Sequence, residues 1–210
     1  MKIINDITKA WDFVHKNNTF YDTSEEDLIH IFSFLKAKHK HKVLDMGCGK
    51  VLSANLAKRN DLDFYGCDIS SFAINNFKKK NINNSDKIIV ADSCYLPWDE
   101  NFFDSIISIR SLDSMSFEEA QASVSEANRI LKSKGTLLAV LKMEQDSNFT
   151  RFFEDIRTPV NKSKEIILNT YTRLKISRLF EPLFEIRRCN EIALNSLEGE
   201  LFWLVDLEKR

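Results

Sequence analysis

The hydrophobic positions of this chain change period from one stretch to the next. Ile88-Ile89-Val90-Ala91 is a run of four apolar residues, the mark of a strand buried on both faces. Val43-Leu44, Phe64 to Ser70, Ser105 to Ile109 and Thr136 to Leu141 read as further strands. Between them, apolar residues return at helical spacing over 52–59, over 71–80 (Phe72, Ile74, Phe77) and over Glu118 to Leu131. Alternation of strand and helix patterns predicts an α/β fold with a parallel sheet.

The flanks read differently. Residues 3–17 carry an irregular apolar face (Ile3, Ile4, Ile7, Trp11, Phe13, Val14) and predict a helix ending near Asn17-Asn18. Asp22 to Asp27 is a helix start, with Thr23 or Ser24 as N-cap and acids in the first turn. Leu28, Ile31, Phe32 and Leu35 continue that helix. Lys36 to Lys42 is a basic run, read as a solvated helix end matched to its dipole. Beyond 142, Phe149, Phe152, Phe153 and Ile156 predict a helix broken by Arg157-Thr158-Pro159. Tyr171 to Phe180 predicts another, stopped by Pro182. Phe184 to Cys189 and Glu200 to Leu207 predict two strands separated by a polar turn with Gly199.

Chemistry concentrates after the first apolar run. Asp45-Met46-Gly47-Cys48-Gly49 ends a strand, turns tightly and feeds a helix. Glycine lets backbone approach a ligand closely, and a helix start offers unpaired N–H groups. In open α/β sheets, ligands bind outside the carboxyl ends of the strands. Asp68 ends the second strand, 21 residues past Gly47, where a carboxylate can accept from ribose hydroxyls; an N-cap role is the alternative, which Ser70 or Ser71 would equally fill. Asp92 and Ser93 end the third strand, and an Asp there can accept from an exocyclic amine or cap the loop.

Composition narrows the field. At 210 residues, 43% hydrophobic and 29% charged, the chain is long enough to bury one substantial core. A net charge of −1 gives no electrostatic case for nucleic acid or an anionic membrane. Neither a bilayer-spanning run nor a signal-peptide core is evident. Cys48, Cys67, Cys94 and Cys189 are far apart, so no metal site is expected and a cytoplasmic location is.

Asp45-x-Gly47-x-Gly49-x-Val51 resembles motif I of class I S-adenosylmethionine-dependent methyltransferases, with Val51 where the third glycine falls. Leu96 to Asp104 (LPWDENFFD) is similar to the LPF-x-D-x-x-FD loop of small methyltransferases, and Glu126 to Gly135 resembles the family's E-x-x-R-x-L-K-x-G-G turn. The ordered set spans about Val43 to Lys142. The resemblance implies a three-layer Rossmann-like sandwich with a mostly parallel seven-stranded sheet and one antiparallel strand near the C-terminus. It also implies one domain over 1–210: a helical cap (1–41), a cofactor-binding core (42–142), and a helical insert with a C-terminal strand pair (143–210).

The implied activity is in-line transfer of a methyl group from S-adenosylmethionine to a small-molecule acceptor. Asp45, Gly47 and Gly49 would cradle the amino-acid end of the cofactor, Asp68 the ribose, and Asp92 with Ser93 the adenine, with Ile69 packed on its face. On the acceptor side, topology and the variable insert suggest Arg110, Asp113, Arg157 and Tyr171. Trp11, His15 and Tyr21 would form an N-terminal lid. Two other readings stay open: a methyltransferase-like binding protein without catalysis, and a nicotinamide-dependent oxidoreductase. The second is disfavoured because G-x-G-x-x-G would need glycine at Leu52.

Overall fold

Five apolar runs become the parallel centre of the sheet. In the computed structural model, residues 2–18, 23–38, 41–81, 86–144, 157–161, 164–197 and 199–210 are described. The strands are β1 (Lys42–Met46), β2 (Asp63–Asp68), β3 (Ile88–Val90), β4 (Phe103–Ile109) and β5 (Leu131–Lys142). With β8 (Phe184–Ala193) and β9 (Leu201–Lys209) they form a seven-stranded sheet of order β3-β2-β1-β4-β5-β9-β8. The strand order reverses between β1 and β4, which opens a crevice at their carboxyl ends. Only β9 is antiparallel to its neighbours; β8 pairs antiparallel to β9 and so runs with the rest. The reversed element is one strand near the C-terminus, as the resemblance implied.

Helices cover both faces. On one, α2 (Glu25–Ala37) and α3 (Ser53–Arg59) place Leu28, Phe32, Leu35, Leu56 and Ala57 against Val43, Ile107, Leu138 and Val140. On the other, α5 (Phe117–Ile130) and α6 (Arg173–Phe180) pack Val124, Ala127, Ile176 and Phe180 against Leu44, Ile106, Leu137 and Ala139. Consecutive strand residues thus serve opposite layers, and each fully buried Leu or Ile contributes about 1.5–3 kcal/mol. Helix α4 (Ser71–Lys80) adds Ile74 to a smaller cluster with Cys48, Val51 and Ile88. Helix α1 (Lys2–Asn17) lies across the carboxyl ends of the strands rather than on the sheet, packing on α4 and on β7 (Lys164–Ile167).

Two sequence motifs turn out to be one device. Glu126 Oε2 accepts from the Leu96 N–H (2.8 Å), and Arg129 donates to the carbonyls of Leu96 (2.9 Å) and Trp98 (2.8 Å). Arg129 also pairs with Glu126. The acid and base of the helix therefore hold the aromatic loop, whose Trp98, Phe102 and Phe103 meet Tyr65 edge to face.

Two local expectations are corrected. Gly135, expected to break the helix at the end of the Glu126 to Gly135 motif, does not end it in a left-handed conformation: α5 stops at Ile130, Leu131 is already extended, and Lys134 takes the positive φ of 60°. Gly135 is required for space, since a Cβ there would lie 2.7 Å from the Lys132 carbonyl oxygen. The insert is helical at α6, as Tyr171 to Phe180 predicted, but residues 157–161 and 164–167 form a strand pair that the sequence did not predict. Arg157–Asn161 (β6) pairs antiparallel with β7, and Pro159 sits within this two-stranded ribbon, where each strand has a free edge for a residue lacking N–H. The helix expected around Phe149, Phe152, Phe153 and Ile156 lies outside the described residues.

Candidate active site

The glycine turn is built by backbone demands. Gly47 (φ 83°) and Gly49 (φ 50°) occupy the left-handed region, and the N–H groups of Gly47 and Cys48 both donate to the Cys67 carbonyl (2.8 and 2.9 Å). At Gly47 a Cβ would fall 2.2 Å from Ser111 Oγ, so the turn is pressed directly against the loop leaving β4. Val51 also has a positive φ (59°), which disfavours a β-branched residue by about 1–2 kcal/mol. Its side chain is buried with Cys48, Ile74 and Ile88, and it does not line the cleft. The missing third glycine therefore leaves a side chain in the core and none in the ligand space.

That space is a cleft of about 1070 Å³, slightly beyond the usual small-molecule range of about 300–1,000 Å³. It is lined by Asp45, Gly47, Gly49, Asp68, Ile69, Asp92 and Ser93, which the fold brings together from the ends of β1, β2 and β3. Arg110 and Arg157 line it too, from the end of β4 and from β6. Trp11 and His15 of α1 close its mouth over the glycine turn; a Cβ on Gly49 would lie 3.2 Å from His15 Cε1.

Two carboxylates dominate its electrostatics. Asp68 accepts from the N–H groups of Gly49 and Ser70, each at 2.8 Å. Every carboxylate oxygen has a second lone pair, so a diol remains a compatible ligand. Burial pushes the Asp68 carboxyl up, against the pull of His15 and of those two N–H groups. The capping role is filled by Ser70, whose Oγ accepts from the Ala73 N–H (3.1 Å). Asp45 accepts a hydrogen bond from Ser53 Oγ. Burial raises its carboxyl to about 7, the Ser53 hydroxyl opposes that rise, and the charge of Asp68 adds to it. A buried acid held near neutrality, facing a cleft, is suited to a cationic ligand group. Asp92 is tied by its Oδ1 to the Cys94 N–H (2.9 Å), and Ser93 Oγ to Ser123 Oγ (2.7 Å). Burial likewise raises the thiols of Cys48, Cys67 and Cys94, the last to about 11, so none is primed as a nucleophile.

The remaining acceptor-side expectations part ways. Arg110 sits at a positive φ (61°), donates from Nε to Asp113 Oδ2 (2.7 Å), and lies over the Phe202 ring (4.9 Å). Asp113 is not in the cleft lining. It is buried, and its Oδ2 also accepts from the Lys142 N–H (2.8 Å), so it positions Arg110 and the end of β5. Tyr171 is likewise behind the cleft: it is fully buried and its hydroxyl donates to the Leu112 carbonyl (3.0 Å). Tyr21 lies outside the described residues. Sequence reasoning did not find Ser53, Ser111 or the residues of β7 that reach the cleft, Glu165, Ile166 and Ile167. Their roles arise from contacts across the fold and leave no local pattern. Among the described residues, no group of three or more His, Cys, Asp or Glu side chains is placed to hold a metal.

Known proteins agree with this geometry. Residues 44–139 match the family model described as a methyltransferase domain. An uncharacterised protein of Methanocaldococcus jannaschii is 29% identical over 164 residues, 75% of this chain and 68% of that protein. A SAM-dependent methyltransferase from Methanosarcina mazei superposes with a TM-score of 0.67 at 21% identity, covering 81% of this chain and 92% of that one. Magnesium protoporphyrin IX methyltransferase from Synechocystis PCC 6803, solved with bound SAM, gives 0.63 at 17% identity, covering 89% and 79%. The structural likenesses establish the shared Rossmann-like fold, and the family match falls on the segment that carries the glycine turn and the strand-end acids. Residues 44–139 are thus similar to a methyltransferase domain, and the chain shares its fold with SAM-dependent methyltransferases.

Proposed function

We propose that the protein methylates a small-molecule acceptor in this cleft. The observation that carries the reading is the convergence of Asp45, Asp68 and Asp92 with Gly47 and Gly49 on one cavity. Asp45 and the glycine backbone take the amino-acid end of the cofactor, Asp68 the ribose hydroxyls, and Asp92, Ser93 and Ile69 the adenine. When bound, the cofactor supplies a methyl group on a cationic sulfur. The chain's own contribution is placement: the strand ends fix one reactant, and Arg110 and Arg157 face the space left for the other. Orientation of this kind is worth about 7–11 kcal/mol. Helix α1 excludes water from the mouth.

A small-molecule acceptor is favoured by the enclosed cleft and by the acceptor named for the Synechocystis enzyme, a porphyrin. Val51, which stands where the motif's third glycine falls, contributes its side chain to the core. The reading takes the cap (1–41), core (42–142) and C-terminal part (143–210) as one functional unit. It places that unit in the cytoplasm, consistent with four free cysteines; no helix of the described residues is long and apolar enough to cross a membrane. Calorimetry with S-adenosylmethionine tests the cofactor half: one site per chain is expected, and absence of heat at about millimolar ligand, where Kd corresponds to only about −4 kcal/mol, would end the reading. A screen of small molecules for transfer of a labelled methyl group then tests the acceptor half.

A further inference from the structure

Helix α1 joins two parts of the cleft. At one side, Asp12 reaches from α1 to the start of α4. Its Oδ1 accepts from Ser70 Oγ (2.7 Å) and from the Phe72 N–H (2.9 Å), and its Oδ2 from Ser71 Oγ (3.2 Å). Ser70 is also the residue whose N–H holds Asp68 Oδ1. One carboxylate thus couples α1 to the hydrogen-bond set of the ribose-side acid. At the other side, Ala10 and Val14 of α1 are buried with Ile166 of β7, with Trp11, Val160 and Leu168 packed around them. Between these two anchors, Trp11 and His15 cross the mouth of the cleft above Gly49.

The two anchors differ in kind. The α4 anchor is three directional hydrogen bonds to one side chain, which break together. The β7 anchor is apolar packing, which tolerates sliding. We infer that Asp12 is a positioning residue: it latches α1 across the cofactor mouth, and through α1 it transmits cofactor occupancy to the β6–β7 ribbon that borders the acceptor space. Cofactor entry and exit require the latch to open. A cofactor held on Asp68 and enclosed by His15 and Trp11 favours the latched state. That state seats Ile166 and Ile167 beside the acceptor space, so the cofactor binds before the acceptor. The coupling is reciprocal: whatever seats the ribbon also tightens cofactor binding. This inference rests on the proposed cofactor reading of the cleft.

The test is amide hydrogen exchange on the full chain, with S-adenosylhomocysteine as the probe, in the natural protein and in Asp12→Ala and Asp12→Asn. In the natural protein, the ligand is expected to slow exchange in residues 45–52, in α1, and also in residues 157–167, which the proposed cofactor contacts do not include. In Asp12→Ala, slowing at 45–52 should persist while slowing in α1 and in 157–167 is lost, and ligand dissociation by stopped flow should quicken by about fivefold or more. Asp12→Asn, which retains one acceptor oxygen, should fall between. Ligand-induced slowing at 157–167 that is undiminished in Asp12→Ala would overturn the inference, as would its absence in the natural protein. If Asp12→Ala melts α1 outright, Asp12→Asn decides by the same comparison. Failure of the ligand to protect even residues 45–52 would instead indict the cofactor reading itself, so the two failures are distinguishable.

Discussion

The two ends of the cleft are built on different principles. The cofactor end consists of backbone turns and strand-terminal acids embedded in the packed sheet, with Asp45 only 4% exposed and Asp68 only 9%. The acceptor end is bordered by α1 and the β6–β7 ribbon, where Arg157 and Glu165 are solvent-exposed and meet at 4.0 Å. A site made from glycine conformations and strand ends cannot vary without disturbing the core. A site made from side chains on an added ribbon can vary freely. On the proposed reading, the first reports the reaction class and the second would determine the acceptor.

The sharpest way to break this contrast is at Gly47. Gly47→Ala places a Cβ on Ser111 at a positive φ, and strain plus overpacking should cost roughly 2–5 kcal/mol. Cofactor affinity should fall by about 100-fold or more, at about 1.4 kcal/mol per tenfold, read by calorimetry and thermal melts. Asp68→Ala comes next. It removes the proposed ribose acceptor and leaves the Gly49 and Ser70 N–H groups without a partner, so at least about tenfold weaker binding is expected. An unchanged Kd would remove the ribose assignment.

Asp45 sharpens the contrast through pH. Its carboxyl rises from 3.8 to about 7 on folding, so the folded state binds more protons than the unfolded state between those values. Stability without ligand should therefore fall as pH rises from about 4 to about 7 and level off above, by at most on the order of 4 kcal/mol. Asp45→Asn should raise the melting temperature above about pH 7 and leave it unchanged near about pH 4. Since the cofactor's cationic end favours the ionised acid, affinity should tighten with pH up to about 7 in the natural protein and be flat in Asp45→Asn. Titrations across that range read both effects. The smallest effect is expected at Val51: Val51→Gly relieves about 1–2 kcal/mol of strain but loses about 1.5–3 kcal/mol of burial. Net stability should change by about 1 kcal/mol, measured by denaturant melts, with cofactor affinity nearly unaltered.

The same division explains how much of the molecule was legible in its sequence. Most parallel strands announced themselves because burial on both faces leaves continuous apolar runs, as in Leu137 to Leu141; Ile88-Ile89-Val90-Ala91 read the same way, but β3 is the edge of the sheet and its Val90 is exposed. Asp45, Asp68 and Asp92 stood out because each follows such a run. The ribbon at 157–167 gave no comparable signal: Arg157-Thr158-Pro159-Val160 lacks a buried face to impose alternation, and Pro159 read as a breaker. Asp113 was placed near the acceptor by topology, and Tyr171 by its position in the variable insert. Whether a side chain at a strand end points into a cleft or behind it depends on partners distant in sequence, here the Lys142 N–H and the Leu112 carbonyl. Asp12 looked like one more polar residue on an irregular helix, because its partners Ser70, Ser71 and Phe72 are 58–60 residues away.

The most direct test of the account is a crystal structure with S-adenosylhomocysteine. Density for the nucleoside is expected along the ends of β1, β2 and β3, with the sugar hydroxyls on Asp68, the amino-acid end over Gly47 and Gly49, and the adenine beside Asp92 and Ser93. Ligand bound elsewhere on the molecule, with those three acids facing solvent alone, would contradict it.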